Sequence, residues 1–188
     1  YIAVGILGLT MALGFSGCQS ENQKNQDAYR KIGINSMAEG DYDKAVKSFQ
    51  KALDTSLGKI GAEEIDICYY KAAAQFAKKD YDGAIETYTS LIDYDKENAN
   101  AYYLRGSVYL DTDKKDKAFK DYKNAVKYAG REYEIYEGIY ENLTNKGETE
   151  EAKNYLKKAL DIKPKDGADY AEQGHVYYLL EDYTQAKS

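Results

Sequence analysis

Ala45, Ala84, Ala118, Ala152 and Ala186 are separated by 39, 34, 34 and 34 residues, and the segments that carry them align without gaps. These segments read GDYDKAVKSFQKAL (40–53), KDYDGAIETYTSLI (79–92), DKKDKAFKDYKNAV (113–126) and GETEEAKNYLKKAL (147–160), with EDYTQAKS (181–188) opening a fifth. A fixed period of this length marks a stack of like supersecondary units, each too thin to bury a core by itself. About twelve residues before each alanine a second small-residue register runs through Gly33, Ala72, Gly106 and Gly174, broken at Tyr140. Tyr29, Cys68, Tyr102, Tyr136 and Tyr170 lie four residues earlier again. Both halves of the unit space their apolar residues three and four apart, as helices do. Turn residues such as Gly40-Asp41, Lys79-Asp80 and Gly147-Glu148 divide the halves, which predicts antiparallel helix pairs.

On these registers the chain resembles tetratricopeptide-repeat proteins from Gln26 to Ser188. The resemblance implies an all-α, right-handed solenoid of about four and a half helix pairs. Repeat boundaries fall at 26–59, 65–98, 99–132 and 133–166, with a partial copy over 167–188. A small residue on each first helix faces the alanine on the second, so that the two backbones approach and their ridges interlock. Phe49, Tyr88, Tyr122 and Leu156 are expected to fill the gap between layers, and Ala52, Ala125 and Ala159 to admit the next unit. Repeat four is expected to open or tilt locally, since Tyr140 stands where a small residue is required. Residues 60–64 read as an insertion, either an extra helical turn or a longer loop. Because the last copy stops inside its second helix, the array is expected to continue past Ser188 or to be covered there by a partner.

Residues 1–17 carry no charge, whereas the run that follows is polar, a step typical of a targeting segment. Phe15-Ser16-Gly17-Cys18 resembles the lipobox of bacterial lipoproteins, with Phe15 where the family prefers Leu. The resemblance implies cleavage after Gly17, a diacylated Cys18, a hydrated tether over 18–26, and attachment to the outer face of a cell membrane. An ordinary secretory signal or an uncleaved anchor would also place residues 19 onward outside the cytoplasm. No basic segment precedes the apolar run, so Tyr1 is not expected to be the natural start.

Composition removes several classes of function. With 26 basic against 32 acidic residues the net charge is −6, which argues against a nucleic-acid partner. One histidine and two cysteines leave no disulfide framework and few ways to build a metal site, and no cofactor is expected. No catalytic triad can be drawn around His175, and the glycines of the first 17 residues do not form a phosphate loop, so no enzyme is expected. Cys68 falls at a normally apolar position and reads as a buried structural thiol.

Eleven of the 21 tyrosines occupy repeat positions where packing explains them. What remains informative is the inner face of the first helices, where related proteins hold a peptide. Tyr69 and Phe76 mark it in the second unit, Tyr103 and Leu110 in the third, Glu134, Glu137 and Glu141 in the fourth, and His175 and Tyr178 in the fifth. The three glutamates are three and four apart, hence on one helical face. They lie in a segment, 131–151, of seven Glu against Arg131 and Lys146. This pattern points to an aromatic and acidic groove for a protein segment bearing Lys or Arg, although a solvated charged face fits it equally. A carboxylate clamp is not expected, because only Arg30 keeps the required chemistry among Arg30, Ile34, Tyr70, Asn100 and Leu104. Two other readings are open: a glycan surface with Tyr69, Tyr103 and Tyr178 as stacking platforms, and an accessory domain of a larger envelope protein. The residues do not set the oligomeric state.

Overall fold

A computed structural model describes residues 20–56, 58 and 60–181. Among them no strand occurs. The helices are α1 (Glu21–Ala38), α2 (Tyr42–Thr55), α3 (Ala62–Ala77), α4 (Tyr81–Tyr94), α5 (Ala99–Asp111), α6 (Lys115–Tyr128), α7 (Tyr133–Asn145), α8 (Thr149–Lys157) and α9 (Gly167–Leu179), with a 3-10 turn over Lys158–Asp161. The fold is thus the all-α, paired-helix architecture that the repeat implies, and Ala84 and Ala118 are fully shielded from solvent. The lipobox, Cys18 and residues 182–188, where the fifth copy's second helix is expected, lie outside the described residues.

Short polar residues start four of these helices. The Ser20, Asp41, Asn98 and Asp166 side chains accept backbone N–H groups of the first turns, for example Lys44 N at 3.0 Å and Ala101 N at 2.9 Å. Each hairpin turn contains one residue with positive φ: Gly40 at 78°, Lys79 at 67°, Asp113 at 56°, Gly147 at 80° and Glu181 at 65°. These positions keep the register of the alanines. Only two are glycine, so the other three units hold a side chain in a conformation that it disfavours.

The chain divides into two compact units, residues 1–87 and 88–188. In the first, α1 packs on α2 where Gly33 faces Phe49. A Cβ at Gly33 would lie 2.5 Å from the Phe49 ring, which is fully buried and stacks on Tyr70 of α3 at 5.6 Å and 16°. Arg30 of α1 donates to Asp66 of α3 and covers the Tyr70 ring at 5.4 Å. The tether reading fails at this end of the chain. Residues 21–26 are the first turns of α1, begun by Ser20, and Gln26 is buried and donates to Glu64 Oε1 at 2.7 Å. Of the expected insertion, residues 62–64 form the first turn of α3. Cys68 is half-buried rather than buried, and that burial pushes its thiol pKa up.

Glu63 of α3 faces Asp27 of α1. Burial, a hydrogen bond with Asp27 and the charges of Asp27 and Glu64 push Glu63 up from 4.5 to about 7, against the pull of Arg30. The unfolded carboxyl releases its proton near 4.5 and the folded one near 7, so the folded state binds more protons between those values. Stability is therefore expected to fall as pH rises from about 4.5 to about 7, then to level off. Solvent screening at this half-buried position reduces the change to on the order of 1 kcal/mol. Urea titrations at pH 5 and pH 8 measure it; in Glu63→Gln the difference should shrink, and an equal difference there would assign it to other groups.

In the second unit α5 packs on α6 by the same device. A Cβ on Gly106 would lie 2.8 Å from the fully buried Tyr122 ring. Tyr122 meets Tyr155 of α8 edge-on at 6.1 Å and 75°. Arg105 Nε and Nη2 donate to Asp121 at 2.7 and 2.9 Å, and Nη1 donates to Thr89 at 3.0 Å. The fourth pair carries Tyr140 and a shortened second helix. The Tyr140 hydroxyl donates to the Leu179 carbonyl at 3.3 Å, and α8 is the shortest helix described, closing in the 3-10 turn.

Candidate partner-binding face

Helices α7 and α9 both belong to the second unit and bring the predicted acidic and aromatic residues of two successive repeats together. Glu137 Oε1 of α7 lies 2.9 Å from His175 Nδ1 of α9. The His175 ring lies nearly parallel to Tyr178, with centroids 6.4 Å apart and planes 13° apart. His175 and Tyr178 are exposed, Glu137 is half-buried, and Glu134 and Glu141 are exposed on the same helix. Burial pushes the Glu137 carboxyl pKa up; His175 counters this, and Glu172 and Glu134 add to it. Around Glu137 the field is thus that of carboxylates relieved by one imidazole.

Sequence reasoning passed over Glu172, although it lies one helical turn before His175. The signal was an i, i+3 pair on a short helix, which gains meaning only when α7 supplies Glu137 opposite it. The Glu137, Glu172 and His175 donor atoms all lie within 4.8 Å of one another.

Other predicted residues are placed differently. Leu110 is a correction: it is 2% exposed, within the core cluster that includes Ala118 and Ile139, so it offers no surface to a ligand. Tyr103 is largely spent on packing. Its ring lies 6.4 Å from that of Tyr122, its hydroxyl reaches the Gly138 backbone so closely that a Cβ there would overlap it, and burial pushes its pKa up. Beside it, Asn142 Nδ2 donates to Ser107 Oγ at 2.8 Å. A ring held in this way cannot serve as an open stacking platform. Its neighbours on α5 are also engaged: Asn100 donates to Glu132 at 3.1 Å, and Asp111 pairs with Lys146 at 3.1 Å. In the first unit Tyr69 is half-buried on α3, and Phe76 meets Tyr81 edge-on at 5.6 Å. Arg30, the one residue suited to a carboxylate clamp, is occupied by Asp66. No helix among the described residues is long and apolar enough to cross a membrane.

Tetratricopeptide-repeat models match residues 30–88, 72–113, 99–131 and 141–166. Among solved structures, PilF from Pseudomonas aeruginosa is 18% identical at a TM-score of 0.57, over 89% of this chain and 74% of that one. The protein TTC0263 of Thermus thermophilus is 17% identical at a TM-score of 0.57, over 86% of each chain. MamA from Desulfovibrio magneticus RS-1 is 16% identical at 0.56, over 87% of this chain and 89% of that one. At these identities the likeness is one of fold. No curated protein matches the sequence.

Proposed function

The chain is built of tetratricopeptide repeats, and from that premise we propose that it is a non-enzymatic scaffold that captures a Lys- or Arg-bearing protein segment. The observation that supports the choice of partner is the meeting of Glu137 with His175 and Tyr178 across α7 and α9. Carboxylates draw in a basic side chain, and the exposed ring beside them offers its face to the aliphatic stem and cation. In this reading Cys18 carries the lipid that holds the scaffold at the extracytoplasmic face of the envelope. Two acyl chains make such attachment stable where one would be marginal.

The test uses the full chain with a fluorescent peptide of alternating Lys and Ala against its Gln counterpart. The Lys peptide is expected to bind more tightly, with an affinity that falls as salt rises from about 50 to about 300 mM. Glu137→Lys with Glu141→Lys should weaken it by about tenfold or more and flatten the salt dependence. Equal capture by wild type and variant would remove this face from the function. The anchor is tested separately: radiolabelled palmitate should enter the wild-type chain and not Cys18→Ala.

A further inference from the structure

The donors facing one another between α7 and α9 are of mixed chemistry: carboxylate oxygens from Glu137 and Glu172, and an imidazole nitrogen from His175. Two come from one helix at i, i+3, which stacks both side chains on one face, and the third comes from the helix packed alongside. Helix bundles build carboxylate–histidine metal sites in this way, with a Glu-x-x-His turn on one helix and a Glu projecting from another. The Glu137 to His175 separation of 2.9 Å and the 4.8 Å limit on all three donors span a single ion after small rotamer shifts. The Tyr178 ring lies nearly parallel to the imidazole, with centroids 6.4 Å apart. The α7 carboxylates here are Glu134 and Glu137; on α9 the site has Glu172 and His175. Apart from burial, the groups that act most on Glu137 are His175, Glu172 and Glu134.

We propose that Glu137, Glu172 and His175 form a three-ligand site for a divalent transition-metal ion, with Zn2+ the best fit, that fastens the fifth repeat's first helix to the fourth's. Two carboxylates and one imidazole suit Zn2+ over Mg2+ or Ca2+, which prefer all-oxygen shells. Water completes the coordination on the open side. The site does not depend on the basic-segment reading, but it draws on one of the same carboxylates, so saturating Zn2+ should weaken capture of the Lys peptide.

The experiment is calorimetric titration of the full chain with Zn2+ alone, in a Cys18→Ser, Cys68→Ser background so that no thiol competes. One equivalent is expected to bind, with Mg2+ at least about tenfold weaker. His175→Gln at an exposed position and Glu172→Gln at a half-buried one, both checked for unchanged helicity by circular dichroism, should each lower Zn2+ affinity by about tenfold or more. Co2+ should bind with a visible d–d band that His175→Gln abolishes. Absence of binding, equal affinity for Zn2+ and Mg2+, or unchanged Zn2+ affinity in His175→Gln would each overturn the proposal. The titration contains no peptide, so failure of the scaffold reading leaves this result intact, and the reverse also holds.

Discussion

Phe49→Ala is expected to destabilise the first unit by about 3–5 kcal/mol, the range for removing a buried aromatic ring, with urea denaturation as the measurement. The ring is fully buried, seated on the bare backbone of Gly33 and stacked on Tyr70, so little surrounds it that could collapse into the void. The reciprocal change tests the seam more sharply. On helix propensity alone, Gly33→Ala in the middle of α1 should stabilise by about 1 kcal/mol. Its methyl would instead meet the Phe49 ring at 2.5 Å, and overpacking costs about 1–3 kcal/mol. We expect the net effect to be destabilising in the wild type and to change sign in the Phe49→Ala background, where the ring is gone. A Gly33→Ala effect that is the same in both backgrounds would show that the two helices are not held by this contact.

The second large effect is expected at Asp121. Its carboxylate is 4% exposed and takes both Nε and Nη2 of Arg105, whose guanidinium also donates to Thr89 and covers the Tyr102 and Tyr109 rings at 5.7 and 5.9 Å. Asp121→Ala leaves that cation partly buried without its anion, at a cost of about 3–5 kcal/mol. Replacing both partners, Arg105→Met with Asp121→Leu, should recover most of the loss, because the apolar pair needs no desolvation. The exposed pair Lys115–Glu148 serves as control, and Lys115→Ala should change stability far less than Asp121→Ala. If Asp121→Ala behaved like the control, the α5–α6 ion pair would be incidental to the fold.

The fold was legible because its constraint is local and repeats: an alanine or glycine must recur wherever two backbones touch, and Gly33, Ala45, Gly106 and Ala118 announce this without reference to the rest of the chain. The start of α1 was not legible. Residues 21–26 show little apolar spacing, and what orders Gln26 is Glu64, 38 residues away. Helical spacing correctly put Glu134, Glu137 and Glu141 on one side of α7, yet the same rule applied to α5 chose Leu110, which the core takes in. Period fixes which residues share a side; what covers that side depends on neighbours far off in sequence. Tyr103 shows the same limit. Its fate is decided by Gly138 and Asn142, and neither forms part of the repeat's small-residue register.

The left-handed residue in each hairpin turn also governs how the chain can change length. Each residue of an α-helix advances the side chains by about 100°, so deleting or adding one residue beside Gly40 or Asp113 would swing Ala45 or Ala118 off its facing helix. The longer first interval of 39 residues takes up its extra length between the first two hairpins, in the approach to α3. Natural insertions and engineered tags or loops should therefore be accepted between α2 and α3 and rejected at the hairpin tips.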